Sequence, residues 1–272
     1  MGIKVSLRRG IPGRVPDAVV LGAYDQSSES PLVIVHGIAR ETDKIAQAVA
    51  PLAEASGRLV VLPIFELDHW KTYQRPTSRA RADIALLRLL SALDTDGIMP
   101  RRRFDLAGFS GGAQFAHRFT WMYPHLVDRL AVASAGWWTF PTAAPFPYGM
   151  GTSEEGPTFA PVWLRSNLRA FLSRKITVCV GEEDNVVDRN TRSGKFIDAQ
   201  QGEDRLTRAH RWAEDLREAA RAEHIPEQVG FEILPGCGHD FASCAKAGMA
   251  KIFLEGQSPA HAYQPKVKGL SA

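Results

Sequence analysis

Three short stretches carry residues able to do covalent chemistry. In Phe104-Asp105-Leu106-Ala107-Gly108-Phe109-Ser110-Gly111-Gly112-Ala113, an apolar run meets Gly-x-Ser-x-Gly and continues at helical spacing. The pattern reads as strand, sharp turn, helix, with Ser110 in the turn and Gly108 and Gly112 keeping side chains away from the strand and helix on either side. A serine hydroxyl at its ordinary acidity is a poor nucleophile, so it needs a base within hydrogen-bond reach and a third group to orient that base. Of the eight histidines, His239 is favoured, because Gly236 and Gly238 give it an uncrowded loop directly after an apolar run, Val229 to Pro235. Carboxylates gather at another strand end, in Gly181-Glu182-Glu183-Asp184-Asn185-Val186-Val187-Asp188. Glu182, Glu183, Asp184 and Asp188 are all open for the orienting role.

These stretches need a scaffold that brings strand ends together. Continuous apolar runs of the kind buried on both faces of a sheet occur at 31–35, 58–63, 103–109, 129–135, 175–181 and 229–235. Helical patterns separate them at about 42–55, 79–93, 113–121, 162–174 and 206–222, and a final helix covers roughly 241–253. In the helix at 206–222, Leu206, Ala209, Trp212, Ala213, Leu216 and Ala220 share one face. Strands alternating with helices imply a mainly parallel sheet covered by helices. Ile3–Leu7 and Ala18–Tyr24, separated by a turn from Gly10 to Pro16, read as an antiparallel hairpin at its edge. Residues 1–256 are expected to form one domain. The segment at about 137–161, rich in Pro, Gly and aromatics, is expected to be a small lid or pocket-forming insertion. Residues 189–205 read as loop, and the polar tail 257–272 as loosely held.

With this arrangement the chain resembles the α/β-hydrolase superfamily of serine esterases and lipases, over roughly Leu32 to Leu254. The order Ser110, acid, His239 is the order that family uses. The resemblance implies an α/β-hydrolase fold: a mostly parallel sheet of about eight strands with helices on both faces and a short lid-like insertion. It favours Asp184 as the acid through the Gly-x-x-Asp arrangement Gly181-Glu182-Glu183-Asp184. It also implies that the loop after Pro31–Val35, which opens His36-Gly37-Ile38-Ala39, supplies one oxyanion donor. That donor is the backbone N–H of Ile38, or of Ala39 if the register differs, and Gly111 supplies the other. Ser110-Gly111-Gly112 and Gly238-His239-Asp240-Phe241 are loosely similar to bacterial polyester-depolymerase-like and feruloyl-esterase-like hydrolases.

The reaction so implied is carboxylic-ester hydrolysis through an acyl-enzyme, with no metal and no organic cofactor. Thioesterase, peptidase and acyltransferase chemistry use the same three groups, and a hydrolase-fold protein that binds a small ligand without turnover is the alternative from outside the enzymes. His36, Trp70, Trp137, Trp138 and Phe140 are candidate walls of a substrate pocket for an apolar or aromatic group. His36 can equally be a strand-end histidine that holds a loop.

Composition is that of an ordinary globular chain: 272 residues, 44% hydrophobic, 23% charged, formal net charge +3. Basic residues are dispersed apart from Arg101-Arg102-Arg103, with no nucleic-acid motif. No apolar run approaches the roughly 20 residues of a spanning helix. The start of the chain alternates like an edge strand rather than reading as an export signal. Cys179, Cys237 and Cys244 lack metal-ligand spacing and read as reduced thiols, with a Cys237–Cys244 bridge as a lesser option. The expected partner is a small-molecule ester, with no nucleic acid and no membrane span, in the cytoplasm.

Overall fold

The computed structural model describes residues 2–23, 29–75, 81–100, 103–152 and 159–256. Tyr24, Arg101, Arg102 and the tail 257–272 lie outside the described residues. Eight strands form a single sheet: β1 (Val5–Arg8), β2 (Asp17–Leu21), β3 (Leu32–Val35), β4 (Val60–Ile64), β5 (Phe104–Phe109), β6 (Val127–Ala133), β7 (Lys175–Gly181) and β8 (Val229–Leu234). Their spatial order is β1-β2-β4-β3-β5-β6-β7-β8. β1 and β2 pair antiparallel, β2 runs antiparallel to β4, and all remaining neighbours are parallel.

Helices follow the strands: α1 (Thr42–Ser56), α2 (Ala82–Thr95), α3 (Gly111–Met122), α4 (Ala160–Leu172), α5 (Lys195–Gln201), α6 (Arg205–Ala222), α7 (Phe241–Cys244) and α8 (Ala250–Glu255). A π-turn at Ala245–Met249, with Gly248 at φ 119°, joins the last two. Because successive side chains of a strand point to opposite faces, β3 feeds two cores. Val33 and Val35 pack with α2, α3, α4 and α6, whereas Leu32 and Ile34 pack with α1 and α8.

One expectation from sequence needs correction. The 189–205 stretch is not all loop, since α5 lies within it. Ile197 is buried, and the buried Gln201 side chain bonds the backbone N–H and carbonyl of Trp138 at 2.9 and 3.0 Å. A helix of seven residues is too short to show periodicity. Cys179, Cys237 and Cys244 are all buried free thiols, in keeping with the reading of them as reduced.

The amino ends of the strands hold a buried ionic clamp. Asp105 on β5 pairs with Arg58 and with Arg129, and both guanidinium groups also donate to the Leu254 carbonyl at the end of α8. A polar cleft of about 750 Å3 lies beside it, lined in part by Asp105, Asp128, Arg129, Lys175 and Glu227. It is at the opposite end of the sheet from Ser110.

Candidate active site

Ser110 sits between β5 and α3 with φ 54° and ψ −116°, backbone angles that a side-chain-bearing residue rarely adopts. The surroundings hold it there: Ser110 N–H donates to Ala133 O on β6 at 2.8 Å, while its carbonyl accepts from Gln114 N–H at 3.1 Å. Crowding below the turn explains the flanking glycines. A Cβ on Gly108 would collide with the Gly112 backbone, and one on Gly112 with the carbonyls of Val35 and His36.

The histidine and the acid are brought to this serine by cross-bonded loops. After β7, Glu182 N–H donates to Leu234 O and Glu183 N–H to Cys237 O, each at 2.9 Å, so the chain after β7 is tied to the end of β8 and the loop that follows it. Asp184 then turns inward, its N–H bonded to Gly181 O at 3.1 Å. His239 Nδ1 lies 2.9 Å from Asp184 Oδ2, and His239 Nε2 lies 3.0 Å from Ser110 Oγ. A carboxylate can only accept, so Nδ1 carries the proton and Nε2 is free to accept from the serine hydroxyl. The Phe109 ring stacks on the imidazole at 5.1 Å and fixes its plane. Asp184 is buried, whereas Ser110 and His239 keep partial access to solvent.

The loop after β3 is as tightly defined. His36 is fully buried. Its Nε2 accepts from Phe65 N–H at 3.0 Å, which leaves Nδ1 as a donor to Gly37 O at 2.8 Å. Arg40 N–H donates to the same carbonyl at 3.0 Å. The carbonyl of the Gly37–Ile38 peptide is thus engaged twice, and in a trans peptide its N–H points the opposite way. A Cβ on Gly111 would lie 3.3 Å from Ile38 N. The Ile38 nitrogen thus lies close to Gly111, whose own N–H opens α3, where no intrahelical acceptor exists. Tyr73 braces this loop, its hydroxyl 2.5 Å from His36 O and its ring stacked on Phe65 at 5.2 Å. Arg40, at φ 60°, ties Ile38 O to Phe65 O and Trp70 O. Desolvation of the buried ring pushes His36 down to about 4, outweighing its bond to Gly37 O, so it stays neutral.

The pocket-wall assignments fare differently. His36 uses both ring nitrogens on backbone and is scaffold, and Trp138 and Phe140 are core. Trp138 stacks on Trp212 of α6 at 4.2 Å and also contacts the buried His117. Trp70 packs against Phe65. None of His36, Trp70, Trp137, Trp138 and Phe140 has more than 4% of its surface exposed, so these residues do not form an open wall. Trp137 comes nearest to that role, since it directly follows Gly136, packs on Tyr148 and carries the Arg118 guanidinium over its face at 4.1 Å. The exposed large hydrophobic residues in the loops that carry these groups are Ile38, Val186 and Val187.

Sequence reasoning missed Arg205. This buried residue opens α6 and places Nη1 3.3 Å from Asp184 Oδ1 and Nη2 2.8 Å from Asp188 Oδ1. Two of the candidate acids thus share one guanidinium, and only Asp184 also reaches His239. An arginine at the start of an amphipathic helix gives no sign in sequence that it points inward.

Strand order, antiparallel second strand and serine turn together define the α/β-hydrolase fold, and this chain has it. Solved structures with this architecture include poly(aspartic acid) hydrolase-1 from Sphingomonas sp. KT-1, at TM-score 0.75 and 21% identity over 93% of this chain and 99% of that one. A poly(3-hydroxybutyrate) depolymerase from Bordetella parapertussis superposes at TM-score 0.73 with 24% identity, covering 90% and 85%. A fluorophosphonate-binding serine hydrolase from Staphylococcus aureus does so at 0.61 with 13% identity, covering 93% and 98%. No protein-family description and no curated protein sequence matches the chain.

Proposed function

We propose that the protein is a serine hydrolase that cleaves carboxylic esters through an acyl-enzyme. One observation carries this reading: the unbroken hydrogen-bond chain from Ser110 Oγ through His239 to Asp184, with Ser110 and His239 accessible to solvent and the acid buried. His239 Nε2 takes the serine proton as Oγ attacks the ester carbonyl. The resulting oxyanion is held by the N–H groups of Gly111 and Ile38, already aimed by the His36 and Arg40 contacts. His239, now protonated and balanced by Asp184, gives its proton to the departing alcohol. Water entering by the same route hydrolyses the acyl-serine and restores the hydroxyl. Among the described residues no group of His, Cys, Asp and Glu is arranged to hold a metal ion. The exposed Ile38, Val186 and Val187 favour substrates with an apolar portion next to the ester.

The test is a fluorophosphonate probe together with p-nitrophenyl esters of graded acyl length, one thioester and one amide in the same panel. Wild-type protein is expected to label at Ser110 and to hydrolyse the esters, and Ser110→Ala to lose both. Ester hydrolysis undiminished in Ser110→Ala would refute the mechanism.

A further inference from the structure

We propose that Arg205 is a positioning residue of the triad, holding Asp184 as a buried carboxylate and opposing positive charge on His239, so that the base stays neutral to lower pH. The proposal rests on the serine-hydrolase reading for its role in catalysis, though its electrostatic content can be measured without turnover.

The geometry is specific. When His239 is in the neutral form a base requires, the negative charge of Asp184, only 2% exposed, must be balanced from elsewhere. Among the described residues, the cation that reaches it is Arg205, on the oxygen that His239 leaves free. Leu206 N–H, the next residue of α6, donates to Asp184 O at 3.1 Å and fixes the main chain as well. When His239 accepts the serine proton, its charge appears one carboxylate away from that guanidinium. Arg205 therefore raises the cost of protonating the imidazole in the resting state, which keeps more of it in the base form as pH falls.

Asp188 sets how far this goes. Partial burial pushes its carboxyl up, but hydrogen bonds from Arg205 and Thr191 and the nearby guanidinium charge prevail and hold it at about 2. It is thus ionised throughout the working range and offsets part of the Arg205 charge. Other charged groups near the imidazole are committed elsewhere. Asp240 accepts from Ser243 N–H at 2.7 Å, Glu182 accepts from Gly236 N–H, and Glu183 is exposed. On α6, Arg208 is bonded to Asp198 and to the carbonyls of Gly202 and Gly136.

Two substitutions should therefore move one titration in opposite directions. Acting across one carboxylate at an effective dielectric between water and protein interior, removal of the cation in Arg205→Met is worth about one pH unit, upward. Asp188→Asn leaves the cation unopposed and should move the midpoint down by a few tenths of a unit, while Arg205→Lys, which keeps the charge, should stay near wild type. The measurement is the His239 ring titration by NMR on the full-length protein. Beside it runs the pH dependence of Ser110 phosphonylation by a fluorophosphonate, in which the Ser110 O–P bond forms as P–F breaks and fluoride leaves. Opposite shifts of Arg205→Met and Asp188→Asn, reproduced by both readouts, are the expected result. If both variants titrate within 0.2 unit of wild type, or Arg205→Met moves down, the proposal is overturned. Should Arg205→Met fail to fold, the downward shift in Asp188→Asn decides alone. Wild-type protein that does not label sinks the hydrolase reading, while the NMR titration still judges Arg205.

Discussion

Replacing Asp184 with asparagine tests the acid assignment through a detail particular to this site. The carboxylate presents one oxygen to His239 Nδ1 at 2.9 Å and the other to Arg205 Nη1 at 3.3 Å, so both neighbours are donors. An asparagine has one acceptor and one donor to place. Arg205 is permanently a donor, and so the amide oxygen turns toward it and the NH2 toward the imidazole. His239 must then accept at Nδ1, which moves its proton to Nε2, and a protonated Nε2 cannot take the proton of Ser110. The expected loss in kcat is about 10^4-fold, the size known for the wrong-tautomer form of a serine triad, with KM little changed. Asp188→Asn breaks a contact with Arg205 but none with His239, and a loss of less than about tenfold at pH 8 is expected. The assay is steady-state hydrolysis of the best p-nitrophenyl ester, with thermal unfolding to confirm that both variants fold. Asp184→Asn retaining more than a tenth of wild-type activity, or Asp188→Asn losing as much as Asp184→Asn, would refute the assignment.

Two further outcomes concern the scaffold. His36 titrates at about 4 in the fold against about 6.5 when unfolded. Between those values the unfolded chain binds the extra proton, so the stabilisation is full above pH 6.5 and is lost as pH falls toward 4. It amounts to about 3 kcal/mol. Urea midpoints measured from pH 7 to 4 should fall less steeply in His36→Asn than in wild type, and parallel curves would count against it. Gly112→Ala places a methyl on the carbonyls of Val35 and His36. A loss of about 3 kcal/mol or more, read as a lowered Tm or insolubility, is expected, and a native Tm would contradict the packing.

Much of this architecture was readable in the residues themselves. Ser110, Asp184 and His239 each follow a buried apolar run, and a sheet with helical crossovers delivers strand ends to a common rim, so three distant positions could be placed together without coordinates. Alternation within the hairpin and the apolar face of α6 were equally plain. What escaped detection depended on direction rather than type. Trp70, Trp138 and Phe140 lie in irregular segments, where no period separates a ring facing the cleft from one folded into the core. Arg205 falls on a charged helix in which Arg208 is buried too while Arg211 and Arg221 face water, and its pairing with Asp184 and Asp188 is what marks it out. α5 was missed because it completes barely two turns, and the contacts of Gln201 with Trp138 that tie it down leave no mark in the sequence.

The Asp105 clamp has a bearing on the serine at the far end of the same strand. β5 enters the sheet anchored by two guanidinium groups and leaves it through a turn wedged against β3, so this central strand is gripped at both extremities. It cannot slip in register without surrendering one grip or the other. The height at which Ser110 stands above the rim is thereby a property of the whole strand, and the surrounding loops can vary in length or sequence without disturbing it.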